Sequence, residues 1–216
     1  MCIYLCFWLL SIPFMKLFYL PLLCWFIFLS SYAQERSQTL LLHHVNIIHV
    51  ETGAVQRNAS ILMEGNKIKA VGEFNKLKKG VAKADQVDGL GKFLIPGLWD
   101  MHVHLEGAEM AEDNKALLTL FLAYGITTIR DCASDLGEQV LAWRNEINAG
   151  DLVGPTIYTA GRKLEGKNSI WKGDLEIENE MELNQMMDLL DTYRVDFVKI
   201  TENTLSGELF LKSVKA

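Results

Sequence analysis

The sequence predicts an α/β protein: the first half of a (β/α)8 TIM-type barrel preceded by a small β-sandwich lobe. Three observations carry this. From Leu94 onward, apolar strand-like runs alternate with amphipathic helical runs at a repeat of roughly 35 residues, the pattern of parallel strands joined by right-handed crossovers. Before Leu94 the chain reads as short strands joined by turn residues. The strand that opens the second region carries Asp100, His102 and His104 at every second position, so the three share one face while Trp99, Met101, Val103 and Leu105 share the other.

Residues 1–33 read as targeting rather than fold. They hold a single charge, Lys16, and an almost unbroken apolar run from Leu17 to Leu29. Read from Met15, the pair Met15-Lys16, that run and Ser31-Tyr32-Ala33 form the three parts of a secretory signal peptide, with translation expected to start at Met15 and cleavage after Ala33. The expected location is therefore periplasmic or extracellular. The alternative is an anchor retained over residues 1–30, since an apolar region of about 28 residues can span a bilayer. Leu23 before Cys24 is not the small residue a lipidation site wants.

Cys2, Cys6 and Cys24 lie in this segment, which leaves Cys132 and no disulfide framework. Within the run Ile126–Ala133, Cys132 reads as a core residue rather than a nucleophile. The net charge is −6, and losing Lys16 makes it one unit more negative, which argues against a nucleic-acid partner. Contact with a membrane is expected only through the export signal, and nothing in the composition sets an oligomeric state.

The β-sandwich lobe is expected over 39–93. Leu40–Val50 reads as a strand entering the turn Glu51-Thr52-Gly53. Ala59–Glu64 and Lys67–Val71 pair across Gly65-Asn66, and Val87–Leu94 returns as another strand. His43, His44 and His49 fall here and read as surface or structural histidines.

The barrel units are expected over 94–216. Ala111–Tyr124 reads as a helix with Leu117, Leu120, Phe121 and Tyr124 on its inward stripe, stopped by Gly125, and the second strand is Gly125–Asp131. A second helix, Gly137–Ala149, turns Val140, Trp143 and Ile147 inward, followed by the strand Pro155–Ala160. A third, Glu178–Arg194, turns Leu183, Met186, Met187, Leu190 and Tyr193 inward, the methionines as core filler. The fourth strand is expected over Val195–Thr201, and Leu205–Lys215 begins a fourth helix.

Two imidazoles at i and i+2 can chelate one divalent ion, and a neighbouring carboxylate can orient them. A bare His-x-His also fits a structural or surface role. Lys199 in mid-strand poses a similar choice, because a buried ammonium is penalised unless it reaches solvent at the strand end.

Ile95-Pro96-Gly97 feeding Leu98-Trp99-Asp100-Met101-His102-Val103-His104 resembles the first barrel strand of the amidohydrolase superfamily, with its Pro-Gly turn and Asp-x-His-x-His. Val195-Asp196-Phe197-Val198-Lys199-Ile200 resembles the fourth-strand motif of the imidazolonepropionase-like and Xaa-Pro dipeptidase-like branch. The resemblance also takes in Gly125–Asp131, Gly154-Pro155-Thr156 and the loop from Gly166 to Trp171.

It implies that His102, His104 and Lys199 are metal ligands and that Asp100 supports them from behind. Lys199 would be carboxylated, bridge two divalent ions and share in catalysis. Zinc is the first choice of metal, with iron or manganese also suited. The implied reaction is hydrolysis of a C–N bond by metal-activated hydroxide, in a small-molecule amide, cyclic amide or dipeptide. The resemblance further implies a histidine on each of strands five and six and an aspartate on strand eight. None has a counterpart before Ala216, so the chain is expected to be an N-terminal fragment. The alternative is a truncated, non-catalytic metal- or partner-binding half-domain. Arg194 stands where the family usually has glycine, a departure worth on the order of 1 kcal/mol if the residue is left-handed.

Overall fold

The computed structural model describes residues 39–201 and 203–216. The expected signal peptide and its alternative anchor lie outside the described residues. The chain divides into two compact units on either side of the Ile95–Pro96 bond.

The first unit is a five-stranded mixed sheet. Its centre is β1 (Thr39–Ile48), flanked by β2 (Val55–Glu64), which runs antiparallel to it and pairs onward with β3 (Lys67–Gly72). The β2–β3 turn uses Gly65 at φ 58°, as the Gly-Asn pair led us to expect. On its other side β1 pairs in parallel with β4 (Gln86–Asp88) and then β5 (Phe93–Leu94). The expected single strand Val87–Leu94 is thus two strands. Asp88 accepts the Leu90 N–H at 3.0 Å and Gly91 takes φ 77°, so the backbone turns between them. A four-residue helix, α1 (Phe74–Leu77), follows β3. Leu41, Val45, Ala59 and Ile61 form the buried face. Residues 39–95 supply this one sheet, and a second layer facing it, as a sandwich requires, is not formed among the described residues.

The second unit begins with three parallel strands in chain order: β6 (Leu98–Val103), β7 (Ile126–Asp131) and β8 (Thr156–Thr159). Helices α2 (Ala111–Ala123) and α3 (Glu138–Ala149) connect them, within a residue or two of the expected bounds. Leu105, Leu118, Ile129, Val140, Trp143 and Ile157 pack together between sheet and helices. On α3 the expected stripe is the buried one, and its C-terminus stops at Gly150 with φ 85°. On α2 it is not: Leu118 is buried, whereas Leu117, Leu120 and Tyr124 are exposed and with Phe121 and Ile126 line a shallow apolar groove. The helix turns the neighbouring register to its sheet, and the wider apolar surface gave no means of choosing between the two.

A second core follows. Short parallel strands β9 (Leu164–Gly166) and β10 (Leu175–Ile177) pack against α4 (Glu180–Tyr193) and α5 (Gly207–Lys215) through Leu164, Ile177, Leu183, Leu190 and Leu209. Met186 and Met187 pack against this cluster. Asn179 caps α4 by accepting the Glu182 N–H at 2.9 Å, while the Glu182 carboxylate accepts the N–H of Glu178, the residue before the cap, at 2.8 Å, and the two bonds together fix the helix start.

The expected fourth strand, Val195–Thr201, is not a strand here. Its pairing is a single parallel bridge from Ile200 to Leu164, flanked by Leu164 N–H to Lys199 O and Thr201 N–H to Leu164 O. The Asp196 N–H does reach Thr159 O, but the Asp196 carboxylate takes the Thr159 N–H at 2.9 Å and also holds Arg144 at 2.8 Å. A side chain thus occupies a donor that a β-ladder would have used.

Candidate metal centre

His102 and His104 stand at and just beyond the C-terminal end of β6, the end at which parallel α/β sheets generally hold ligands. Their Nε2 atoms lie 3.2 Å apart. Two nitrogens bound tetrahedrally to one zinc-sized ion at about 2.0 Å would be separated by about 3.3 Å. The spacing therefore matches the bite of a single divalent ion.

The tautomer of His104 is fixed from the other side of its ring. Nδ1 lies 3.0 Å from the carbonyl oxygen of Ala133, which can only accept, so Nδ1 carries the proton and Nε2 presents its lone pair. Ala133 follows β7, so residue 104 is oriented by a segment 29 positions away. Asp100 is half-buried, and its carboxylate accepts the backbone N–H of His102 at 3.2 Å. Its support reaches the His102 backbone, and the described contacts include no bond from Asp100 to either imidazole ring.

Both imidazoles are exposed, contrary to the buried setting expected of a covered parallel sheet. The reason is topological: among the described residues β6 pairs on one side only, with β7.

Behind the pair lies Asp131, at the end of β7 and with no exposed surface. It accepts the Leu105 N–H at 3.1 Å and the Thr159 hydroxyl at 2.6 Å. Burial pushes its carboxyl up to about 6, against the pull of those hydrogen bonds and of His104. Asp131 thus ties the ends of β6, β7 and β8 together beneath the imidazoles.

A cavity of about 470 Å³ opens beside His104, and its lining includes Lys199, Asp135, Lys163, Trp171 and Asp174. The structure therefore brings His104 and Lys199 to one cavity, although they are 95 positions apart in sequence. Lys199 is half-buried, held by its backbone bridge to Leu164 rather than by a regular strand.

Sequence reasoning missed Lys163, which is almost fully buried. Its ammonium sits 3.5 Å from Asp174 and 4.8 Å from the centre of the Trp171 ring. Burial raises the Asp174 carboxyl, outweighing hydrogen bonds from Ser169 and Lys163. Sequence reasoning also missed Glu165. Burial would raise its carboxyl, yet bonds from Thr201, Gly166, Thr204 and Asn203 hold it at about 2. The run Lys163-Leu164-Glu165, charge on both sides of a buried leucine, was the available signal. Cys132 is buried with its thiol 3.7 Å from the Met101 carbonyl, a core residue as expected.

No family model matches the chain. Among curated proteins, it is 31% identical over 96 residues to an adenine deaminase of Staphylothermus marinus, covering 44% of this chain and 16% of that protein. It is 27% identical over 124 residues to the ochratoxinase of Aspergillus niger, covering 52% of this chain and 26% of the relative. The chain thus spans about a quarter or less of the length of these relatives. Among solved structures, a candidate prolidase from Bifidobacterium longum superposes with a TM-score of 0.66 at 26% identity, over 76% of this chain and 41% of that one. Deaminase, ochratoxinase and prolidase are all names for enzymes that cleave carbon–nitrogen bonds. The Asp-x-His-x-His strand, the parallel strand–helix units after it and this set of relatives agree in likening the chain to the N-terminal part of amidohydrolase-superfamily enzymes.

Proposed function

We propose that this chain carries the first half of the metal site of an exported amidohydrolase that hydrolyses a C–N bond in a small amide, cyclic amide or dipeptide. The observation that carries the proposal is the 3.2 Å approach of the His102 and His104 Nε2 atoms beside the cavity that Lys199 lines. The donor set fits a zinc-class ion, with iron or manganese also suited, since both nitrogens converge and His104 is held in the ligating tautomer.

A bound divalent ion would lower the pKa of water and polarise the scissile carbonyl. The chain's own residues do the rest. His102 and His104 hold the ion at the strand end, and the Ala133 carbonyl keeps His104 from rotating. Lys199, carboxylated as the family resemblance implies, would become an anion able to bridge to a second ion. The cavity wall formed by Lys163, Asp174 and Trp171 would receive the substrate. A histidine on each of strands five and six and the proton-carrying aspartate on strand eight would come from sequence following Ala216. Finding a mature N-terminus at Gln34 would support export and exclude the retained anchor.

The second reading is a metal- or partner-binding half-domain without catalysis.

Two measurements test the proposal. Sequencing the source DNA past the Ala216 codon should reveal an open frame of roughly 200 further residues, enough to complete a barrel, with His, His and Asp at later strand ends. A stop codon together with a soluble, defined oligomer supports the half-domain. Independently, His102→Ala and His104→Ala should each weaken zinc binding at this strand by at least about tenfold; unchanged affinity in both would refute the site.

A further inference from the structure

His43 and His44 are neighbours in β1, so in a regular strand their rings would point to opposite faces. The β1–β2 register breaks between Leu42 and Val45, and His44 takes φ 57°, a left-handed conformation that a residue with a Cβ rarely adopts. This bulge brings both imidazoles to one place, with their Nδ1 atoms 3.0 Å apart. Asp88, at the end of β4 and in register with His43, completes the group. Its Oδ1 lies 3.1 Å from His44 Nδ1 and 3.6 Å from His43 Nδ1.

These three separations bracket the edge of about 3.3 Å expected for a tetrahedron around zinc. Hydrogen bonding alone serves the group poorly, because each ring nitrogen carries at most one in-plane proton. If the proton sits on His44 Nδ1, it must be divided between His43 and Asp88. If it sits on His43 Nδ1, a lone pair of His44 faces the carboxylate. A cation at the centre satisfies all three atoms at once. Asp88 Oδ1 can keep the Leu90 N–H on its other lone pair.

The surroundings suit an ion that stays. Phe74 lies against both rings, with centroid separations of 4.3 Å to His43 and 5.0 Å to His44. His43 is buried, whereas His44 and Asp88 retain access to solvent, which leaves a corner for water. We infer that His43, His44 and Asp88 form a second, structural binding site for one divalent transition ion of the zinc class, with water as fourth ligand. Two imidazoles and one carboxylate favour such an ion over magnesium or calcium, which take oxygen sets. Its role is to staple the bulge of β1 to the end of β4, so that binding stabilises the N-terminal sheet.

The test uses the full chain carrying His102→Ala and His104→Ala, stripped with a chelator and titrated with Zn²⁺ or Co²⁺ alone. One equivalent should bind, with a rise in Tm and, for Co²⁺, visible d–d absorption. Adding His43→Gln or Asp88→Asn should weaken that binding by at least about tenfold. His44→Asn, which keeps a residue tolerant of positive φ, should do the same. Absence of binding in the His102→Ala/His104→Ala chain, or binding indifferent to all three further substitutions, overturns the inference. Where a variant fails to fold, imidazole ¹⁵N resonances of the unsubstituted chain decide the matter. Zinc should move the Nδ1 signals of His43 and His44 together, and movement confined to His102 and His104 overturns the inference. The two metal sites fail separately, since this titration silences His102 and His104 and reads only the site in the N-terminal sheet.

Discussion

The imidazole of His104 is gripped from both ends, by the Ala133 carbonyl at Nδ1 and by the His102 partner at Nε2. One of these grips was legible in the sequence and the other was not. Period-two spacing in a strand announces that His102 and His104 share a face, because strand geometry is local. The Ala133 carbonyl is anonymous in sequence, as every residue has one, and only the pairing of β6 with β7 brings it near. The same division explains Glu165, whose partners Thr201, Asn203 and Thr204 arrive from a loop more than 30 positions away. Those bonds carry a pH prediction. Burial raises the Glu165 carboxyl, but the hydrogen bonds prevail and lower it from 4.5 to about 2. A carboxylate depressed in the folded state stabilises the fold above its unfolded pKa, and that stability is lost as pH falls towards the folded value. Between about pH 4.5 and pH 2 the second unit should therefore lose on the order of 3 kcal/mol from this residue. Urea midpoints at several pH values, for the unsubstituted chain and for Glu165→Gln, measure it. An equally steep acid dependence in both would show that Glu165 is not the cause.

At the scale of elements, the helices declare themselves where one apolar stripe stands alone. On α3, the expected Val140 and Trp143 are buried, with Leu141 beside them. On α2 the run Leu117, Leu118, Leu120 and Phe121 is apolar on more than one side, so periodicity cannot say which side meets the sheet. Leu118 does, and Leu117 and Leu120 do not. The fourth strand fails for a different reason. Its composition is strand-like, but Asp196 diverts a ladder donor to its side chain. At the end of α4 the condition attached to Arg194 is met, although the helix itself stops at Tyr193. Arg194 takes φ 53° and ψ 50°, the left-handed position that a glycine usually fills, and its carbonyl accepts from Arg144 at 3.0 Å. Arg194→Gly removes the clash of a left-handed Cβ while keeping that backbone bond. The substitution should raise stability by roughly 1 kcal/mol, less whatever the freer unfolded glycine chain takes back. A urea titration that shows Arg194→Gly less stable than the parent would mean the arginine side chain contributes more than its conformation costs.

At the scale of the molecule, the second unit leaves apolar surface of a particular kind uncovered. Among the described residues β6 is an edge strand, and Leu98, Trp99 and Met101 on it are about half exposed. Trp99 has the ring of Tyr158 stacked at 5.5 Å, which covers only part of it. On α2, Leu117, Leu120 and Tyr124 border the apolar groove. An unpaired strand edge offers free backbone donors and acceptors to another chain, and adjoining apolar side chains add a hydrophobic gain on contact. In a closed barrel the edge would be paired, so the proposal of further strands and the exposure of these side chains are two aspects of one geometry. The chain produced by itself should consequently self-associate, with a sedimentation coefficient that climbs with concentration. Met101→Lys, which places a charge on the edge strand, and Leu120→Glu, which places one in the groove, should together shift the distribution towards monomer. Neither residue supplies a metal-ligating atom, so zinc binding at His102 and His104 should survive in the double variant. A parent chain that sediments as a single monomer over the same concentrations would show that the exposed edge is tolerated, and would remove the main physical argument for a missing partner half.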